Sequence, residues 1–77
     1  MKELVEVIAK ALVDSPDEVF VNERHEDDGT IVLELHVAKD DMGKVIGKKG
    51  RIAKSIRTVV KTAATKKDLK VVVDIVE

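Results

Sequence analysis

Four basic residues fall within the eight positions 44–51: Lys44, Lys48, Lys49 and Arg51. They surround two glycines three apart, in Val45-Ile46-Gly47-Lys48-Lys49-Gly50-Arg51-Ile52. Glycine lets a backbone turn tightly and lets a ligand approach without a Cβ in the way. Lysines between two such glycines put positive charge at the tip of the turn. That combination suits a phosphate backbone. It offers no nucleophile, and the chain holds no nucleophile–base–acid set or paired carboxylates suited to a pocket. Gly43 and Gly47 precede Lys48 in the manner of a P-loop. That motif needs four residues between the glycines and Ser or Thr after the lysine, where Lys49 stands. No Gly-x-Gly-x-x-Gly occurs either. The two histidines, His25 and His36, are too far apart to form a local ligand pair, and there is no cysteine to join them. The expectation is therefore a binding protein, with no catalytic residues, metal or cofactor.

Charge segregation supports that expectation. The 77 residues carry a formal net charge of −1, yet residues 42–70 hold ten Lys/Arg against Asp68 alone, a local balance of +9. Residues 1–41 hold twelve Asp/Glu against four Lys/Arg, a balance of −8. Separated charge creates a directional field that the net value hides. The basic segment is expected to face a polyanion. The acidic half is expected to keep the polyanion off the other faces.

These residues must be positioned by a small scaffold. The length allows one domain, 1–77, near the lower limit for independent folding. The core is thin and almost wholly aliphatic, with Phe20 the single aromatic, so oligomerisation is plausible on stability grounds. No apolar run reaches about 18 residues, and the N-terminal Met1-Lys2-Glu3-Leu4 lacks a signal core, so a cytosolic location without membrane insertion is the expectation.

Leu4, Val5, Ile8, Ala11 and Leu12 recur at helical spacing within residues 2–14, and Ser15-Pro16 should end that helix. Residues 18–24 read as a short strand. Asp28-Gly29 is a hairpin signal, and Thr30 to Ala38 alternates, with Ile31, Leu33, Leu35 and Val37 on one face and Val32, Glu34 and His36 on the other. Asp40-Asp41 reads as a helix N-cap with an acid in the first turn, ahead of a short helix over 40–46. The Gly47–Gly50 turn ends it. A second helix is expected from about Arg51 to Thr65, with Ile52, Ile56, Val59, Val60 and Ala63 inward and Arg51, Lys54, Arg57 and Lys61 outward. Leu69, Val71, Val73 and Ile75 alternate as a last strand. The order is helix-strand-strand-helix-helix-strand, an α+β chain. A right-handed crossover between the second and third strands then gives a three-stranded mixed sheet with helices packed on one face. The open face, with Val32, Glu34, His36, Val72 and Asp74, is a candidate dimer surface.

Val45 to Ile52 resembles the signature of the KH domain, whose GXXG loop clamps nucleic-acid backbone. The signature's final Ile falls on Ala53, with Ile52 beside it. The element order is similar to the bacterial, type II, KH topology. The length, the acidic N-terminal half and Arg51-Ile52-Ala53-Lys54-Ser55-Ile56-Arg57 resemble the small stand-alone bacterial KH proteins of the KhpA family. The resemblance covers essentially the whole chain. It implies single-stranded RNA as the ligand and a post-transcriptional regulator or RNA chaperone in the cytoplasm. It also implies a homodimer, or pairing with a larger KH-containing RNA-binding protein. The site it implies comprises Lys44, Val45, Ile46, Gly47, Lys48, Lys49, Gly50, Arg51, Ile52, Lys54, Arg57 and Val72. In it, a phosphate sits at the N-terminus of the second helix, and bases lie in a groove floored by Val45, Ile46 and Val72. The rival reading is an adaptor that uses the same fold for protein contacts alone. The basic pair Lys48-Lys49 favours RNA.

Overall fold

The structure, a computed structural model, describes residues 1–76, apart from the side chains of Lys48 and Lys49. Helix α1 spans Lys2–Leu12, strands β1 and β2 span Phe20–His25 and Ile31–His36, helix α2 spans Lys39–Lys66, and β3 spans Val71–Val76. β1 pairs antiparallel with β2, and β2 pairs parallel with β3, so β2 is central and both neighbours are edges. This is the three-stranded mixed sheet expected from the order of elements. A one-turn 3-10 helix at Pro16–Glu18, which periodicity did not signal, links α1 to β1.

Alternation in the strands decides which face the helices cover. Leu33 and Leu35 are fully buried, and Val21 and Val73 flank them from the edge strands. Onto this row pack Val5 and Ala9 of α1 and Val45, Ala53, Ile56 and Val60 of α2. Each fully buried aliphatic contributes about 1.5–3 kcal/mol. The opposite face has no helix over it. There Phe20, half exposed, stacks on His36 with ring centroids 4.1 Å apart. Val32 is nonetheless buried on that face, because as a central-strand residue it lies between Arg24 and Val72.

The inward stripe of α2 is shifted from the sequence expectation. Ala53, Ile56, Val60 and Ala64 are buried, Ile52 and Ala63 are half-buried, and Val59 is exposed. Val59 follows Ile56 by three residues and precedes Ala63 by four, so periodicity alone put it on the apolar side. The sheet meets the helix about one residue further round. Ala53, the residue at the signature's Ile position, is therefore the one that enters the core.

Two corrections concern the start of α2. Its N-cap is Ala38, with no side-chain cap bond. Asp40 and Asp41, the pair expected to supply the cap and a first-turn acid, both lie in the first turn, and Asp41 is buried and reaches across to the end of α1. Its Oδ1 accepts from the Asp14 N–H at 3.1 Å and its Oδ2 from the Ser15 N–H at 3.0 Å. The carboxylate thus ties two elements together instead of satisfying its own helix.

Candidate nucleic-acid interface

Two helical arms meeting at a Gly-bounded turn were expected. In the structure the two arms adjoin within one 28-residue helical run, α2. A straight helix of that length would span about 42 Å, more than the 34 Å longest dimension of the molecule, so α2 is bent. The bend has an identifiable cause in Gly50, whose φ of +65° is left-handed and cannot continue a regular helix. The corner thus falls at Gly50, the second glycine of the expected turn. The claim of this corner on an anion rests on basic side chains and on access.

Access is provided by Gly47. A Cβ built there would meet nothing within 4 Å. Packing therefore does not demand glycine at 47, and its absent side chain leaves the backbone open to an incoming group. Lys48 and Lys49 follow in sequence, and expectations about their side chains lie outside the described residues.

Neighbouring helical residues lie about 100° apart, and this separates Val45 from Ile46. Val45 is fully buried in the core. Its expected place in the binding surface is corrected: it holds the first arm on the sheet and cannot touch a ligand. Ile46 is 53% exposed. Arg51 and Lys54 are exposed beyond the corner, and Ile52 is half-buried. Lys44 lies one turn before Gly47, and its Nζ donates to Asp14 Oδ1 at 3.1 Å, so its charge is already partnered by the acidic half.

Beyond the corner, the second arm of α2 and the outer edge of β3 enclose a groove of about 530 Å³. Val60 and Ala64 form its helix wall, with Val71, Val72 and Leu69 opposite. Arg57, Lys61 and Lys70 supply its charge. Arg57 and Val72 were expected in such a groove. Ile46 does not reach its lining, so the single floor drawn from Ile46 to Val72 divides into an apolar spot before the corner and a groove after it. Lys61, Thr65 and Leu69 were missed as groove residues. Lys61 was legible, since it follows Arg57 by one turn of the outer basic row.

The far end of the groove is shaped by how α2 stops. Asp68 is left-handed, with φ +56°. The Leu69 N–H donates to the Ala64 carbonyl at 2.8 Å, and the Asp68 N–H to the Thr65 carbonyl at 3.1 Å. This pair of bonds is a Schellman ending, in which glycine usually holds the left-handed place.

Among the described residues no cluster of three or more His, Cys, Asp or Glu could hold a metal ion. Among the described residues, no helix is long and apolar enough to cross a membrane.

Proteins of similar sequence include an "RNA-binding protein KhpA" of Clostridium perfringens, 64% identical over 76 residues that cover 99% of this chain and 100% of that protein. Proteins of the same name from Halalkalibacterium halodurans and Listeria monocytogenes are 57% and 47% identical over 77 residues, covering the whole of both chains in each case. Among solved structures, Aquifex aeolicus Era Y63A bound to GDP.AlF4- superposes with a TM-score of 0.57 at 23% identity. The match covers 97% of this chain and only 30% of that one. Era in complex with MgGDPNP and nucleotides 1506–1542 of 16S ribosomal RNA gives 0.53, also at 23% identity, over 96% of this chain and 28% of that one. At that identity the likeness concerns the fold alone. The family model described as "KhpA/KhpB, KH domain" matches residues 2–75. With that match and full-length relatives at up to 64% identity, the chain belongs to the KhpA/KhpB KH-domain family, which is not a family of enzymes.

Proposed function

We propose that the protein binds single-stranded RNA, clamping backbone at Gly47-Lys48-Lys49-Gly50 and leading the strand along the basic row of α2 into the groove beside β3. The observation that carries this reading is the open position at Gly47 beside the left-handed corner at Gly50. Both lie within the segment of local charge +9. Relatives up to 64% identical bear the name RNA-binding protein, and the family is a KH domain, a module that holds about four nucleotides by its GXXG loop. The near absence of aromatics disfavours base stacking as the main contact. Phosphate attraction and aliphatic contact take its place. A single groove holds few nucleotides, so affinity is modest unless a second copy adds avidity. Action in the cytoplasm as an RNA chaperone or post-transcriptional regulator belongs to the same reading.

Charge reversal tests the clamp. Lys48→Asp combined with Lys49→Asp should abolish binding of a short single-stranded RNA, while circular dichroism and melting stay close to the parent's. The parent's affinity should fall with salt at a log–log slope of roughly −0.7 per phosphate contacted. Undiminished binding by the double variant would refute the clamp.

A second reading is favoured by one feature, the open sheet face, where Phe20 and Val72 are about half exposed. On this reading the protein is an adaptor that pairs through that face with a second copy or with another KH-containing protein. Light scattering on the parent and on Phe20→Ser distinguishes it. A dimer lost in the variant, with RNA affinity unchanged, would favour the adaptor.

A further inference from the structure

We propose that the groove beside β3 prefers keto bases, uracil and guanine, over the amino bases cytosine and adenine, and that Arg57 sets the preference. This rests on the groove being an RNA site and adds which bases it accepts.

β3 is an edge strand, so half of its peptide groups face away from β2. The Ile31 N–H donates to the Lys70 carbonyl at 2.9 Å, which turns the Lys70 peptide oxygen toward β2. Alternation along the strand then directs the backbone groups of Val72 and Asp74 to β2 and those of Val71 and Val73 to the groove. A bare edge residue presents an N–H donor and a C=O acceptor side by side. Such a pair can satisfy adenine or cytosine, which offer an amino group next to a ring acceptor.

At Val73 the acceptor is already engaged. Arg57 Nε donates to the Val73 carbonyl at 3.3 Å, in a partly buried contact. A guanidinium has five N–H donors in one rigid fork and no acceptor. Anchoring one leaves four, held beside the groove that Arg57 lines. The rim at this point therefore presents donors: the Val73 N–H and the rest of the fork. An exocyclic amino group arriving here meets donors, and one reaching for the carbonyl's remaining lone pair arrives beside a positive charge. Uracil O4 and guanine O6 and N7 are acceptors and match. Lys61 and Lys70, also in the lining, are donors too. The side-chain acceptors of the groove, Thr65 and Asp68, stand at its loop end. Thr65 is eight residues along the helix from Arg57, about 12 Å, so a base against Val73 is read by donors.

The test compares pairs of ligands that differ in this keto–amino exchange. Fluorescence anisotropy of the full chain is measured at one salt concentration with labelled hexamers of uridine, cytidine, inosine and adenosine. The expected result is uridine over cytidine, and inosine over adenosine, by about five- to tenfold, the effect of roughly one mismatched donor. Arg57→Met removes the fork and frees the Val73 carbonyl, so both ratios should fall to about one or invert. Arg57→Lys keeps the charge but not the fork and should reduce both ratios. Should the Met variant melt early, the Lys variant carries the comparison. Lys61→Gln should weaken all four ligands while leaving the ratios intact. Ratios within about twofold in the parent overturn the proposal and leave the RNA-binding reading standing. So does an Arg57→Met variant that weakens all four ligands alike with its ratios kept. Failure of all four to bind overturns both.

Discussion

Gly47→Ala should make the protein more stable and a poorer RNA binder at once. Gly47 lies inside the helical run of α2, and an added Cβ meets no atom within 4 Å. The substitution therefore introduces no clash, and it removes the helix penalty of glycine, about 0.5–1 kcal/mol. For a domain of this size 1 kcal/mol corresponds to about 4–8 °C in Tm, so a rise of a few degrees is expected in a thermal melt followed by circular dichroism. The same methyl group occupies the space through which a phosphate is proposed to approach the backbone. Affinity for a short single-stranded RNA, read by anisotropy, should fall by about tenfold, the equivalent of one lost charge-assisted contact. Gly50→Ala provides the opposite sign in the same melt. With φ at +65°, a side chain there costs about 1–2 kcal/mol. The reasoning is refuted if Gly47→Ala lowers Tm, which would mean the glycine serves the fold. It is refuted equally if the variant binds RNA as tightly as the parent, since the open position would then have nothing to admit.

Asp41→Asn should cost about 2 kcal/mol, read as a lower urea midpoint at unchanged slope, because an amide can accept from one of the two N–H groups that the carboxylate holds but presents an NH2 to the other. Asp68→Gly should raise stability by about 0.5–1 kcal/mol, relieving a left-handed non-glycine residue at the end of α2; a lower urea midpoint would show that the aspartate side chain outweighs its backbone strain. Asp28 Oδ1 accepts from the Thr30 N–H at 2.9 Å in the hairpin turn, and that bond holds its carboxyl below the usual 3.8. A lowered carboxylate stabilises fully above the unfolded value and is lost as pH falls through the folded one. The hairpin should therefore loosen only below about pH 3.8, seen as faster solvent exchange at the Thr30 amide, and Asp28→Asn should remove that dependence.

Much of this protein was determined by sequence alone, wherever the deciding contact is local. The β1–β2 hairpin follows from Asp28-Gly29 between two extended runs, the burial of Leu33 and Leu35 from alternation, and the corner of α2 from glycines flanked by lysines. Segregation of charge between the two halves of the chain is likewise a property of order along the chain. Tertiary structure decided what depends on neighbours distant in sequence. Val45 and Ile46 are equally apolar, and only the position of the sheet buries one and exposes the other. Val59 matches the helical period, yet no neighbouring element covers it. Asp40-Asp41 has the signature of a cap with a first-turn acid, but the amides that Asp41 holds belong to residues 26 and 27 positions away. Arg57 reads in sequence as one more outward cation. Only the edge placement of β3, 16 residues further on, gives it the Val73 carbonyl and so a defined place in the groove. Periodicity states which residues share a side of an element. Which side faces the core, and which polar groups find partners there, is settled when the elements pack.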